Sequence, residues 1–560
     1  MYQSTKYNLL LLLALAILGA SLRLSQIGDN GLWIDEAFSI WMGRQPVSEM
    51  LSWLVRIDQH PPLYYLLLHV WMRLGDDQAV VRAFSALCST LTIPATYLLG
   101  RRLAGQKVGL LAALILTVSP FHVHFAQEAR MYALLALNGT LAMLTVAHLL
   151  TDPRAVTAML GRQLVGFVRA WRATGHRPPL RTVETDLAWL AYVLFTVLTL
   201  LTHNTAIFFP IATNLLVLAL FSAKISGYTL SQSPISNLFL RNWLLTQAGV
   251  LLLWGPWLPT FVKQSVGVYR EFWLPALTWA SVGEVLLGFV SAFLPLPLGA
   301  IGVIGCLYVG LAVLGLIAFR RQPVLATFML TLFIVPFVGE LLVSLHRPIF
   351  YGRTLIWISL PLYVLLAAGV RSFEPRRRKG RREKSIEPWR SSGQRPPLRL
   401  CGKVLVGGWR LPCASTITLA MLALNGLSLH AYYAQFEKEQ WDDAAALVTE
   451  RVEPGDLILF NATWMQIPFD YYFHRSSDVP VVEHGVPVDL FDRGILEPKM
   501  APSDLPCLRD LVGNHDRVWL IYSHDWYTDP QGLIPPALEE ELDLRDRWEF
   551  YGVQVWLYGR

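Results

Sequence analysis

Two adjacent carboxylates, Asp35 and Glu36 in Leu32-Trp33-Ile34-Asp35-Glu36-Ala37, are the first residues along the chain able to do chemistry. Side by side, one carboxylate can take a proton while the other holds a hydrogen bond or a cation. In a second stretch, Asp58-Gln59-His60-Pro61-Pro62-Leu63-Tyr64-Tyr65, the double proline imposes extended backbone before a helix start. His60 there suits a metal or a phosphate, and Tyr64 suits a membrane interface. A third stretch runs from Ser119 to Tyr132 and carries His122, His124, Glu128 and Arg130. Glu128 and Arg130 stand at the mouth of an apolar run, where an ionisable group is costly and reads as functional. His122 and His124 have the alternating spacing of a strand. The fourth stretch, His346-Arg347-Pro348-Ile349-Phe350-Tyr351-Gly352-Arg353, offers two guanidinium forks, Arg347 and Arg353, whose geometry matches phosphate oxygens. Each stretch alone also fits an ordinary polar loop or a helix cap.

The elements that must position these residues are membrane helices. The chain is 54% hydrophobic and only 16% charged, against about 25% charged for a soluble domain. Runs long enough to span a bilayer, or nearly so, fall at 7–26, 80–100, 107–121, 131–150, 187–204, 205–223, 243–263, 299–319, 323–345, 353–371 and 411–431, which makes about eleven spans. Lys6 ahead of the first run looks like a signal peptide, but with further spans following it reads as an uncleaved first helix. The shorter apolar segments 62–74 and 280–297 read as helices at the outer surface or partly re-entrant.

Lys and Arg set the orientation. Arg101, Arg102 and Lys107 share one loop, and Arg154, Arg162, Arg169, Arg172, Arg177 and Arg181 share the next of the same parity. Arg320 and Arg321 fall in a third, and the run Arg376 to Lys384 forms a dense fourth. With about eleven spans and the N-terminus inside, all four loops are cytoplasmic. The long loop 27–79, the other chemistry-bearing stretches and the C-terminal tail then face the opposite side. The net charge of +6 belongs to these topological loops. No basic-aromatic module accompanies it, so nucleic acid is excluded as a partner.

The chain therefore divides into a transmembrane module 1–371, a basic cytoplasmic linker 372–410 able to touch lipid headgroups, a last transmembrane helix 411–431, and an extracytoplasmic α/β domain 432–560. In that domain a helix is expected near 437–451 and strands at 457–460, 479–483, 517–522 and 552–558. Cys88, Cys306, Cys401, Cys413 and Cys507 form no CxxC pair or zinc-finger spacing, and no intramolecular disulfide is expected.

The order LWIDEAFSI, HPPLYYLLLHVW, FAQEARMYALLAL and then Arg353 ahead of a span containing Pro361 resembles bacterial GT-C glycosyltransferases. More closely, it resembles the glycosyltransferase 39 group related to protein O-mannosyltransferases and lipid A aminoarabinose transferases. The resemblance covers residues 5–371. It implies an all-α polytopic bundle of GT-C type whose long first external loop contains juxtamembrane helices. It implies an enzyme that takes a sugar from a polyprenyl-phosphate carrier and passes it to a protein, lipid or glycan acceptor on the non-cytoplasmic face of a bacterial plasma membrane. Asp35 is then the base that deprotonates the acceptor hydroxyl, with Glu36 supporting it and Glu128 the nearest match to the second acidic position. His60, Tyr64, Arg130, Tyr132, Arg347 and Arg353 are the candidate substrate-binding residues. A divalent cation held by Asp35 and Glu128 stays open. No nucleotide cofactor is expected, since the chain has neither a P-loop nor a GxGxxG after a strand.

Two other readings share parts of this pattern. Another lipid-carrier transferase or polymerase of envelope glycans would use the same carrier and membrane side. A lipid or solute transporter would need inverted repeats and paired charges inside the spans, where Glu340 is the exception among few such charges.

Overall fold

The computed structural model describes residues 2–152, 154, 166, 169–172, 184–225, 235–267, 277–374, 410–489 and 499–560. Most of the linker 372–410 thus lies outside the described residues. Helix α1 (Tyr2–Leu24) leads into the 27–79 loop, which contains three short helices, α2 (Ile34–Arg44), α3 (Val47–Arg56) and α4 (Leu63–Trp71). The long α5 (Gln78–Ala104) follows, then α6 (Gln106–Thr117), the single turn and a half of α7 (Pro120–His124), and α8 (Tyr132–Thr151). Capping explains several of these boundaries. Asp77 accepts hydrogen bonds from the Ala79 and Val80 amides at the start of α5, and Ser119 caps α7 ahead of Pro120.

Among the described residues, seven helices have the length and apolarity to cross a membrane. They coincide with seven of the eleven apolar runs. The other four runs fold as shorter or bent helices. The run 107–121 is split by Ser119-Pro120 into α6 and α7, and 187–204 is the 17-residue helix Glu184–Leu200. The run 243–263 bends at Gly255-Pro256 between Asn237–Trp254 and Leu258–Gly267, because proline supplies no amide to continue the ladder. The run 353–371 begins with loop and one 3-10 turn, leaving the helix Ser359–Arg371.

Water provides no driving force inside a bilayer, so helices there associate through close backbone approach. A Cβ on Gly315 would lie 2.0 Å from the Leu365 carbonyl oxygen, and one on Gly369 would lie 2.0 Å from that of Leu311. Two glycines thus let Leu298–Ala318 and Ser359–Arg371 touch. Arg23, fully buried at the end of α1, donates to Ser89 Oγ at 2.8 Å and to the Leu116 and Thr117 carbonyls at 3.2 Å. It therefore caps α6 while tying α1, α5 and α6 together.

The C-terminal domain is a mixed five-stranded sheet in the order β2 (Val482–Gly485), β1 (Leu457–Phe460), β3 (Arg517–Tyr522), β5 (Val553–Gly559), β4 (Asp543–Phe550). β1 pairs in parallel with β2 and β3, whereas β5 pairs antiparallel with β3 and β4. Every residue of β1 is buried. Ile458 and Phe460 join one core beside the helices Trp441–Arg451 and Thr463–Ser476, while Leu457 and Leu459 join a second core on the opposite face. Such two-sided burial gives a continuous apolar run. Four strands lie at or within a few residues of their expected positions. The edge strand β4 was not expected, because its DLRDRWEF alternates among charged residues, as exposed edges do.

Candidate active site

The C-terminal domain sits on the 27–79 loop, and the site lies between them. Tyr472 Oη accepts the Leu32 amide at 2.7 Å and donates to Gln78 Oε1 at 2.8 Å. Arg44 and Arg475 both reach Asp76 at 2.6 Å. Beneath this junction is a cavity of about 580 Å³ lined by residues of the loop, the bundle and the domain.

Asp35 and Glu36 occupy the first turn of α2, where the helix dipole favours negative charge. Successive helical residues point about 100° apart, so the two carboxylates face different surroundings. Asp35 lines the cavity and is 31% exposed. Its Oδ2 lies 3.8 Å from Arg130 Nε and 3.4 Å from Arg353 Nη1. Burial would raise the Asp35 carboxyl, but the Arg130 and Arg353 charges outweigh it and hold the group below its ordinary value.

Glu36 is fully buried and turned away from the cavity. Its Oε1 accepts from Arg82 Nε and the Ala129 amide, both at 2.8 Å. Its Oε2 accepts from Arg82 Nη2 at 2.7 Å and Lys438 Nζ at 2.8 Å. Burial would raise this carboxyl, but Arg82 and then Lys438 bring it down to about 2. Lys438 is itself pushed down, because burial outweighs the pull of Glu36. The bidentate Arg82 contact is therefore what secures the Glu36 charge. Arg82 also donates to the Ile27, Asn30 and Gly31 carbonyls at 2.7 to 3.0 Å, pinning the loop ahead of Asp35. The expectation that Glu36 works beside Asp35 on substrate gives way to a positioning role, since all its acceptor capacity is spent inside the protein.

Arg130 donates to the Asp35 carbonyl at 3.2 Å and to Ser39 Oγ at 3.4 Å, which sets its guanidinium against α2. Burial would lower its pKa, but Asp35 leads the groups that hold it well above the ordinary arginine value. Arg353 lies over the rings of Tyr351 and Tyr132, 5.0 and 5.6 Å from their centroids. Glu340 anchors that loop from within its span by accepting from Thr354 Oγ1 at 2.7 Å. His60, Tyr132 and Arg347 also line the cavity. His60 Nδ1 lies 2.9 Å from Asp58 Oδ1, which orients its ring.

Four residues that the sequence singled out lie elsewhere. Tyr64 is buried against Tyr65 and Phe84, and it is Tyr65 whose hydroxyl approaches Arg130 at 3.5 Å. Glu128 does not line the cavity; its Oε1 is 3.1 Å from His124 Nε2. His122 and His124 belong to a helix, α7, rather than a strand, and diverge: His122 Nε2 lies 2.8 Å from Ser359 Oγ. Among the described residues, Asp35 and Glu128 belong to no group of three His, Cys, Asp or Glu ligand atoms close enough for one cation.

Sequence reading passed over His203, Asn204, Glu439, Trp464, His524 and Trp526, which complete the lining. Four of these come from the tail, where no local pattern marks them. Arg82 carried a usable signal, as a lone charge within an apolar run.

Residues 59–226 match the family model described as dolichyl-phosphate-mannose-protein mannosyltransferase. No curated protein matches the chain in sequence. In structure the chain is similar to ArnT from Cupriavidus metallidurans in the apo state, at 13% identity and a TM-score of 0.59, covering 99% of this chain and 98% of that one. The same protein bound to undecaprenyl phosphate aligns at 13% identity and a TM-score of 0.55, covering 98% and 97%. The apo oligosaccharyltransferase of Archaeoglobus fulgidus aligns at 12% identity and a TM-score of 0.53, covering 98% of this chain and 74% of that one. The chain is thus an integral membrane protein with the fold of the GT-C glycosyltransferase superfamily. The alignment with ArnT runs nearly end to end in both chains.

Proposed function

We propose that this protein is a membrane glycosyltransferase that moves a sugar from a polyprenyl-phosphate donor to an acceptor hydroxyl on the extracytoplasmic face of a bacterial plasma membrane. One observation carries the reading: a cavity-facing carboxylate, Asp35, lies within 4 Å of two guanidiniums drawn from distant loops. ArnT has been crystallised with undecaprenyl phosphate, and the Archaeoglobus oligosaccharyltransferase has a structure in complex with an inhibitory peptide and a dolichol-phosphate. Both support a lipid-phosphate carrier for this chain. The domain plan is a catalytic bundle 1–371, a cytoplasmic linker 372–410, a last span 411–431 and an extracytoplasmic domain 432–560 that roofs the cavity.

The reaction follows from the charges. Asp35 takes the acceptor's proton as its oxygen bonds to the anomeric carbon. The bond from that carbon to the phosphate oxygen breaks, and polyprenyl phosphate departs with the electron pair. Arg130, Arg353 and Arg347 face the charge that develops on the phosphate. Before donor binds, Asp35 is stabilised as a carboxylate by Arg130 and Arg353. A donor phosphate that engages the same guanidiniums withdraws that stabilisation, so Asp35 becomes a stronger base when substrate is present.

A related oligosaccharyltransferase has been crystallised with zinc and sulfate. Here Arg130 and Arg353 lie against Asp35, and in this reading they supply the charge stabilisation.

The test is transfer from a labelled polyprenyl-phosphate sugar by membranes carrying wild type or Asp35→Asn. Equal transfer by both would remove Asp35 as the base. No transfer from any polyprenyl donor would count against the class.

A further inference from the structure

Away from the catalytic cavity, the C-terminal domain gathers a second set of ionisable groups that the transfer reaction does not use. On the helix Thr463–Ser476, Gln466, Asp470 and His474 recur at intervals of four and so share one face. That face meets the edge strand β2, where Glu483 pairs in register with Ile458, a member of the core beneath this helix. His474 Nε2 lies 3.3 Å from Glu483 Oε2 and 3.9 Å from Asp470 Oδ2. Ligand atoms of all three side chains fall within 4.8 Å of one another, and among the described residues no other such triplet exists.

The cluster has more acceptor capacity than the protein satisfies. Asp470 Oδ1 and Glu483 Oε1 are buried atoms without hydrogen-bond partners. Gln466 is only 3% exposed and is set against the cluster, its Nε2 donating to Glu483 Oε2 at 3.3 Å. Its Oε1 is also buried without a partner. Unpaired buried polar atoms are destabilising, and a divalent cation would engage these oxygens. His474 is 53% exposed, which gives an ion a route in from solvent.

We propose that Asp470, His474 and Glu483 form a divalent metal site that clamps the helix Thr463–Ser476 to the sheet edge. One imidazole nitrogen with two carboxylates is a borderline-to-hard donor set without sulfur, suited to zinc or manganese with water completing the shell. Gln466 donates to the same Glu483 oxygen that faces His474 and so fixes the orientation of that carboxylate. The site is structural. The same helix carries Tyr472 and Arg475, which dock the domain on the 27–79 loop, and Trp464, which lines the cavity. An ion here steadies the roof of the active site without touching substrate.

The test uses the full-length protein in nanodiscs, stripped with chelator and titrated with zinc against a chromophoric competitor. Wild type and Asp35→Asn should each bind one equivalent at this site, with a rise in Tm. His474→Ala should bind at least about 10-fold more weakly, with its metal-free Tm close to that of metal-free wild type. X-ray absorption of the zinc-loaded wild type should show an all nitrogen-and-oxygen shell containing one imidazole. This measurement stands even if a variant fails to fold. Absence of a bound equivalent, affinity unchanged by His474→Ala, or a shell with sulfur or several imidazoles would overturn the proposal.

Discussion

Asp35 Oδ2 lies 3.4 Å from Arg353 Nη1, although 318 residues separate them in sequence. This pair joins the first external loop to the segment ahead of the helix Ser359–Arg371, and it holds the charge that the proposed reaction needs.

Asp35 must be ionised to accept a proton. Its pKa lies below the ordinary 3.8, so the carboxylate persists as pH falls through that value and is lost only further down. The acid limb of kcat/KM should therefore lie below about pH 4. Arg353→Gln removes one of the cations that lower the pKa and should move that limb upward. An acid limb indifferent to the substitution would show that Asp35 does not set it.

Arg353→Lys keeps the charge but loses the fork. If the guanidinium stabilises the leaving phosphate, kcat should fall by about 10²-fold or more, with the protein still folded by its Tm. A change confined to KM would assign Arg353 to ground-state binding alone.

Glu36→Gln leaves Arg82 and Lys438 buried with a neutral partner. The expected loss is about 3–5 kcal/mol of stability, seen as a lower Tm and faster proteolysis around 27–79. The carboxyl falls from 4.5 in the unfolded chain to about 2 in the folded one. Its contribution is thus fully present above about pH 4.5 and fades as pH drops toward 2. Wild type should lose Tm across that window, and Glu36→Gln should lose less.

Tyr472→Phe removes the acceptor for the buried Leu32 amide and should weaken domain docking by about 1–3 kcal/mol. Limited proteolysis of the 27–79 loop, or hydrogen exchange at Leu32, reads this out. Unchanged protection at Leu32 would mean that the docking rests on the Asp76 ion pairs instead.

The sequence by itself determined the apolar runs, the polar stretches between them and four of the five strands. Those follow from hydropathy, proline, capping and alternation, all of which are local. It also marked Asp35 as one of an adjacent carboxylate pair, Arg130 as a costly charge at the mouth of a span, and Arg353 as a guanidinium fork suited to phosphate. It could not separate Asp35 from Glu36, which are neighbours of the same chemistry. The difference lies in partners supplied from elsewhere in the chain: Arg82 and Lys438 for one, Arg130 and Arg353 for the other. Tyr64 and Tyr65, both buried, likewise differ only in their partners: Phe84 for one, Arg130 for the other. The cavity itself was also illegible, since Trp464, His524 and Trp526 reach it only when the C-terminal sheet docks on the first loop. Periodicity records which face of an element is buried. Only tertiary packing decides what that face meets, and here that choice turned one carboxylate toward the cavity and locked the other inside the protein.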